Sequence, residues 1–340
     1  MCLISIFMNL QNAFLGSLIA DAVSMPVHWY YDVKALDRDY GDFDVYLSPR
    51  NPHPDSILWR SSYNHTGPKD DILHDQSSHW GKRGVHYHQS LAAGENTLNL
   101  KLACELFRLI TQTGNFCHDT WLHRYADVML TPGWHKDTYA EEYHRSFFGN
   151  YASGKKLKHC GISDYHIGGL SLVPALLAGL EKIGFDEKNM LESTQMLVKG
   201  THNHPSTLCA ADEFARILIA LSKGGNLQTV FRQLHLPGVP ISSLQRWENL
   251  PDRQVVGRTL STACYLPESF KASLHFAWKY SDDFSLCILS NAKAGGDNCH
   301  RGVVAGAIVG VHAGVPPKWL YGLRALDELP EDMMATRQID

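Results

Sequence analysis

The sequence predicts an all-α protein, a single compact multi-helix domain spanning residues 1–340. Three observations carry this. Apolar residues recur at helical spacing in most segments. Alternating runs rich in Val, Ile and Thr and bounded by turns are nearly absent, which argues against a sizeable sheet. No Pro/Ser linker or tandem repeat divides the chain, and 340 residues that are 44% hydrophobic can bury a substantial core.

Taken in order, Leu10, Phe14, Leu18 and the Ala22/Val23 pair mark a buried amphipathic helix. The start MCLISIFMNL is apolar, but it lacks a basic n-region, and Asn9, Gln11, Asn12 and Asp21 interrupt the run, so it does not read as a signal peptide. No apolar run approaches the roughly 18 residues of a membrane span, and a soluble, cytoplasmic protein is expected. Ser48 to Tyr87 is a long polar loop, and in a compact domain such loops commonly cover a site. NTLNLKLACELFRLITQT then places Leu98, Leu102, Leu106 and Leu109 on one helical face. GGLSLVPALLAGLEKIG, EKNMLESTQMLVKG and TLCAADEFARILIALSKGG repeat the pattern. The last strong helix carries Gly302, Gly306, Gly310 and Gly314. Each glycine inside a helix costs about 1 kcal/mol against alanine, so the spacing implies close backbone packing. His300, Arg301 and His312 rule out the membrane-dimer use of this spacing.

The formal net charge is -4 with no long block of like charge, which argues against nucleic acid or an anionic membrane as partner. Eight cysteines without a C-x-x-C pair are expected to be reduced and mostly buried; Cys299, inside a polar motif, is the exception.

Four polar constellations stand out. GGDNCHRG, Gly295 to Gly302, opens the glycine-spaced helix. Asp297 or Asn298 would serve as N-cap, but His300 and Arg301 follow at i+3 and i+4 from Asp297, and an acid, an imidazole and a guanidinium at a helix N-terminus make an anion or metal pocket. HYHQSLAAGENTLNLKLA, from His86, puts Glu95 and Asn96 before a second long helix, as a cap and a solvated acid or as hard oxygen ligands. Two acid–amide pairs, Glu95-Asn96 and Asp297-Asn298, at two helix N-termini favour a site. THNHP, Thr201 to Pro205, is expected to cap a helix or bind a ligand rather than hold zinc. In TPGWHKDTYAEEYHRSFF, the charged residues Asp137, Glu141, Glu142, His144 and Arg145 are expected mostly on a solvated helical face.

The segments ADAVSMPVHW, AGENTLNLKLA, HIGGLSLVPAL, THNHP and AGGDNCHRGVVAGAIVGVHAG occur in an order that resembles the ADP-ribosylglycohydrolase superfamily. HYHQSLAAGENTLN, TPGWHKDTYAEEYHRSFF and GGDNCHRG resemble its J1-crystallin and selenoprotein J branch. The resemblance implies an all-α fold of that type, with metal ions, usually two magnesium ions, holding the ribose of ADP-ribose while a carboxylate helps water displace the group at the anomeric carbon. It makes Glu95, Asn96, Asp297 and His300 the metal ligands and Glu95, His28 and Asp297 the catalytic residues. His166, Gly168, Gly169, His202, Asn298 and Arg301 are the residues implied against substrate.

The match is partial. Gly94, Glu95 and Asn96 stand for the usual Thr-Asp-Asp, Cys299 replaces a second acid, and His28 falls where several active members carry a glutamate. Losing two carboxylates weakens a two-magnesium site; one ion, none, or a softer ion such as zinc fits this donor set as well. The expected partner is a small ribosyl or ADP-ribosylated molecule, met by a monomer. Two other readings compete: a degenerate site in a structural protein of the J1-crystallin kind, and thiol chemistry at Cys299 beside His300 and Arg301.

Overall fold

The computed structural model describes residues 10–233, 240–331 and 333; the signal-peptide reading of residues 1–9 lies outside them. Among the described residues there is no strand, only three isolated β-bridges. The α-helices are α1 (Leu10–Ser24), α2 (Val33–Tyr40), α3 (Leu98–Thr113), α4 (His118–Met129), α5 (Glu142–Ala152), α6 (Val173–Lys182), α7 (Glu187–Lys199) and α8 (Pro205–Ser222). They continue as α9 (Leu227–Arg232), α10 (Ile241–Trp247), α11 (Asp252–Val255), α12 (Glu268–Lys279), α13 (Phe284–Lys293), α14 (Asn298–Ala313) and α15 (Pro317–Leu320).

The two helices that flank the polar motifs form the axis of the core. α14 packs along α1 and also touches α8, α12 and α13, while α3 lies on α6 and α7 on α8. α1 is buried on nearly every side rather than along one stripe, because other helices surround it. The glycine spacing has the expected cause at three of its four positions. A Cβ on Gly306 would stand 2.5 Å from both Ala20 Cβ and Gly16 O, and one on Gly310 would stand 2.6 Å from Asn12 O. Gly302 similarly abuts Asn291 and Ser24. Gly314 differs: it ends the helix at φ 81° with open space around it. No helix among the described residues is long and apolar enough to cross a membrane.

Between α2 and α3 the chain runs from Gly41 to Thr97 with only short 3₁₀ turns. This segment wraps the face of the molecule onto which α1 ends and α14 begins, and Asp55, Ile57, Arg60 and Tyr87 from it line a cleft there.

Candidate functional site

The site begins with how GGD is threaded. Gly295 and Gly296 have φ of 73° and 67°, a region that a residue with a Cβ adopts at a cost. Both are also pressed against backbone: a Cβ would stand 2.5 Å from Tyr30 O at Gly295 and 2.4 Å from Thr262 O at Gly296. Trp29 N donates to Gly296 O (2.9 Å), Gly296 N to Tyr30 O (2.7 Å), and Asp297 N to Thr262 O (2.9 Å). The turn is thus wedged between the end of α1 and the loop before α12. It leaves Asp297 at the N-cap position of α14, but its carboxylate makes no capping bond.

That carboxylate faces two imidazoles instead. Asp297 Oδ1 lies 2.8 Å from His28 Nε2 and 2.6 Å from His300 Nδ1, with all three side chains buried. His28 Nδ1 lies 2.7 Å from His88 Nε2, and His88 Nδ1 lies 2.6 Å from Asp137 Oδ1. The partners fix the protons. A ring nitrogen facing a carboxylate donates, so His28 carries its proton on Nε2 and accepts on Nδ1, and His88 donates from both nitrogens. The electrostatics agree. Burial pushes His28 down to about 3, so it stays neutral. Burial also opposes charge on His88, but Asp137 outweighs it and raises the group. At His300 burial is likewise outweighed, by Asp297 and Glu141, and the group is pushed up to about 10. Asp297 lies well below the ordinary carboxylate range: burial opposes its charge, and His300 and His28 overcome it.

Beyond His300 the network continues. His300 Nε2 lies 3.2 Å from Glu141 Oε1 and 2.8 Å from Asn99 Nδ2. Asn99 Nδ2 donates to the same Glu141 oxygen (3.0 Å), while its Oδ1 accepts from Tyr143 (2.5 Å) and His144 Nε2 (2.9 Å). Two carboxylate oxygens are left over: Asp297 Oδ2 and Glu141 Oε2 are buried and have no hydrogen-bond partner. Orphans of this kind cost free energy unless an occupant satisfies them.

An open cleft of about 620 Å³ adjoins this cluster. Glu141, Tyr143, His166 and Cys264 line it, with Trp29, Tyr87 and Tyr139 as an aromatic wall. Trp29 sits at φ 60°, rare for a bulky residue, and stacks on His28 with ring centroids 3.8 Å apart. His166 accepts from Gly168 N through Nδ1 (2.8 Å), so the neutral ring carries its proton on Nε2. The His166 loop is pinned to its neighbour by Ile167 N donating to Cys264 O and Leu266 N to Tyr165 O, each at 2.9 Å.

Comparison with known proteins agrees with this architecture. Residues 5–339 match the family described as ADP-ribosylglycohydrolase. The chain belongs to the ADP-ribosylglycohydrolase family. The chain is 24% identical over 322 residues to Crystallin J1A of Tripedalia cystophora, covering 91% of this chain and 90% of that one. A solved structure titled ADP-ribosylglycohydrolase-related protein complex superposes with a TM-score of 0.56 at 18% identity and covers 96% of each chain, a likeness of fold.

The residues expected at this family member's site part company in the structure. His28, Asp297 and His300 come together, and His166, which lines the cleft, lies beside Asp297. Glu95 does not: its Oε2 accepts from Ala92 N (2.6 Å) and its Oε1 pairs with Lys136 (2.8 Å), at a separate pocket of about 150 Å³. Asn96 does not cap; its amide nitrogen donates to Leu18 O and Asp21 Oδ2, and its Oδ1 is buried without a hydrogen-bond partner. Gly168, Gly169 and His202 line a cavity of about 30 Å³ behind Tyr143, too small for a sugar. Gly168 abuts two residues of the cleft lining, His166 and Tyr143. Asn298 donates its amide nitrogen to Val27 O and Ala292 O, and its Oδ1 is buried without a hydrogen-bond partner. Arg301, expected against substrate, is fully buried and clamps the turn instead, donating to Asn291 Oδ1 (2.8 Å), Asn291 O (3.1 Å) and Gly295 O (2.8 Å). The thiol of Cys299 packs with Met25 and Leu91, and burial raises it well above its ordinary value, which disfavours the nucleophilic thiolate. In THNHP, His204 caps α8 by accepting from Ser206 N.

The segment expected to be a solvated helical face is the largest correction. Asp137, Glu141 and His144 are buried, because residues 133–141 form a loop along the cluster and the helix begins only at Glu142. With His88, Asn99 and Tyr143 these are the residues that the motifs did not point to. Their one signal was the clustering of acid and imidazole beside Tyr139 and Tyr143.

Magnesium takes oxygen ligands. Glu95 is committed elsewhere and Asp297 Oδ1 already receives two imidazole N–H groups, while Asn96 Oδ1, Asp297 Oδ2, Asn298 Oδ1 and Glu141 Oε2 are buried without a hydrogen-bond partner. His28, Asp297 and His300 do bring one ligand atom each within 4.8 Å of one another, a donor set of the type that holds metal ions.

Proposed function

We propose that the protein hydrolyses a glycosidic bond of an ADP-ribosyl or related ribosyl group, with the Asp297 cluster at the anomeric end of the cleft. The observation that supports this most is the pair of orphaned carboxylate oxygens, Asp297 Oδ2 and Glu141 Oε2. Carboxylates only accept, so their complement is a group that donates from several points, and sugar hydroxyls do so. Three carboxylates, on Asp137, Asp297 and Glu141, face at most two imidazolium cations, on His88 and His300, leaving a net negative charge beside the cleft. Ribosyl hydrolysis passes through an oxocarbenium-like cation, which that charge stabilises. Asp297 and Glu141, held ionised by their imidazole neighbours, serve this reading as electrostatic stabilisers. His166 Nε2–H is the donor for the leaving group, and Trp29, Tyr87 and Tyr139 are the faces for an adenine or other planar group. His28 is a positioning residue that aims Asp297.

Calorimetry with ADP-ribose tests the reading. Binding is expected in the wild-type chain and about 10- to 100-fold weaker in Asp297→Asn, the loss of charge-assisted bonds. Tyr265→Ala, at a half-exposed cleft residue outside the cluster, should weaken binding without threatening the fold. If neither ADP-ribose nor ribose binds, and no ribosyl substrate is cleaved, the reading fails. The structural role suggested by the name of Crystallin J1A would then be preferred.

A further inference from the structure

We infer that the cleft selects a positively charged ribosyl compound without phosphate, of the N-ribosylpyridinium class. This rests on the hydrolase reading and names its substrate.

The first argument is charge. Among the described residues that line the cleft, Asp55, Glu141, Glu142 and Asp164 carry carboxylates and Arg60 alone carries a guanidinium. A cleft lined mainly by one sign of charge concentrates ligands of the other. Asp55 accepts from the backbone N–H groups of Tyr31 and Asp32, and Asp164 from that of His166, bonds that leave their charge in place. A diphosphate is commonly met by basic side chains or by a helix N-terminus. Here the helix that opens on the cleft, α5, has Glu141 at its N-cap and Glu142 in its first turn. Carboxylates therefore already occupy the end of the dipole that a phosphate would use. Arg145, one turn further on, is stacked over Trp80 and Tyr139, 5.0 and 5.6 Å from their ring centroids, and does not line the cleft.

The second argument is the remaining lining. Tyr31 and Tyr265 are half-exposed, and with Trp29 and Tyr139 they offer ring faces, which attract a cation through their quadrupole. Glu141 adds a buried oxygen, Oε2, that no protein donor meets. In the reaction, the oxygen of water bonds to the anomeric carbon as the carbon–nitrogen bond breaks. The bonding pair passes to the ring nitrogen, the pyridine leaves neutral, and the proton lost by water goes to solvent. ADP-ribose still binds through its sugar and base, but its diphosphate weakens the complex.

Hydrolysis of N-ribosylpyridinium and of ADP-ribosylpyridinium by the full chain, with chelator and with magnesium, tests this. The two share a leaving group and differ in the diphosphate. The phosphate-free compound should have the higher kcat/KM by about 10-fold at low ionic strength, narrowing at about 0.5 M salt, where exposed charges are screened. The double variant Glu142→Gln, Asp164→Asn keeps side-chain shape and removes two charges. It should raise KM for N-ribosylpyridinium and lower it for ADP-ribosylpyridinium, whereas structural damage would raise both. Preference for the diphosphate compound, or KM values that move together in the double variant, would overturn the inference and leave the hydrolase reading standing. So would cleavage of neutral 4-nitrophenyl riboside with neither pyridinium cleaved. If no ribosyl compound is bound or cleaved, both readings fail.

Discussion

At the scale of single residues, chemistry at this site depends on what each group is already bonded to. Asp297 has the position of a helix cap and does not cap; its carboxylate is turned to two imidazoles by a glycine pair that no other residue type fits. Arg301 and Cys299 flank His300 in sequence yet serve the interior, one as a backbone clamp and the other as apolar filling. That difference is measurable. A thiol reagent should label Cys117 and Cys209, which are exposed, in the native protein. Cys299, buried with its thiol held protonated, should react only after denaturation, because the thiolate is the reactive form. Peptide mapping of native and unfolded samples reads this directly. Native labelling of Cys299 at the rate of Cys209 would restore the thiol reading.

Among the elements, the α1–α14 crossing determines where the site sits, since His28 follows the end of one helix and Asp297 precedes the start of the other. Gly306 and Gly149 separate close packing from helix propensity. Alanine at Gly149, an exposed position inside α5 with nothing within 4 Å of a Cβ, should gain roughly 0.5–1 kcal/mol. Alanine at Gly306 makes the same propensity gain but meets the backbone of Gly16 and the Cβ of Ala20 at 2.5 Å, and should lose a net 1–3 kcal/mol. Urea unfolding of the two variants checks it; equal effects would mean that the glycines do not set the crossing. Such packing is legible in sequence because the four-residue spacing is local, as is the i, i+3 pairing of Asp297 with His300. His88, Asp137 and Glu141 were not legible as site residues. Their partners lie 60, 49 and 159 positions away, as His28 to His88, His88 to Asp137 and Glu141 to His300. Charged residues near a helix start also look solvated until the loop carrying them is seen to turn inward.

For the whole molecule, the consequence is an interior crowded with imidazoles of opposite character, which determines its response to acid. Burial holds His28 at about 3 and His53 and His144 at about 4, and it holds His86 and His202 well below the ordinary value. All five take up a proton near 6.5 when unfolded and resist it when folded. Their contribution is fully present above about pH 6.5 and is lost as pH falls through the window from 6.5 to about 4. Each titrating histidine contributes a slope of about 1.4 kcal/mol per pH unit. His88 and His300 act in the opposite sense: their raised values stabilise the fold fully below 6.5, and His300 gives that up only as pH rises through about 10. They add no slope in the acid window where the five are losing theirs. With a total stability of order 5–15 kcal/mol, the protein should lose most of it above about pH 4.5, before Asp297 and Glu141, both held low, take up protons in the folded state. Urea midpoints from pH 8 to pH 4.5 measure this. A steep decline that begins near 6.5 is expected, with Asp297→Asn shifting the level of the curve and leaving the onset in place. A midpoint that stays flat between pH 7 and 5 would show that these imidazoles are solvated, and the buried network described above would then be wrong.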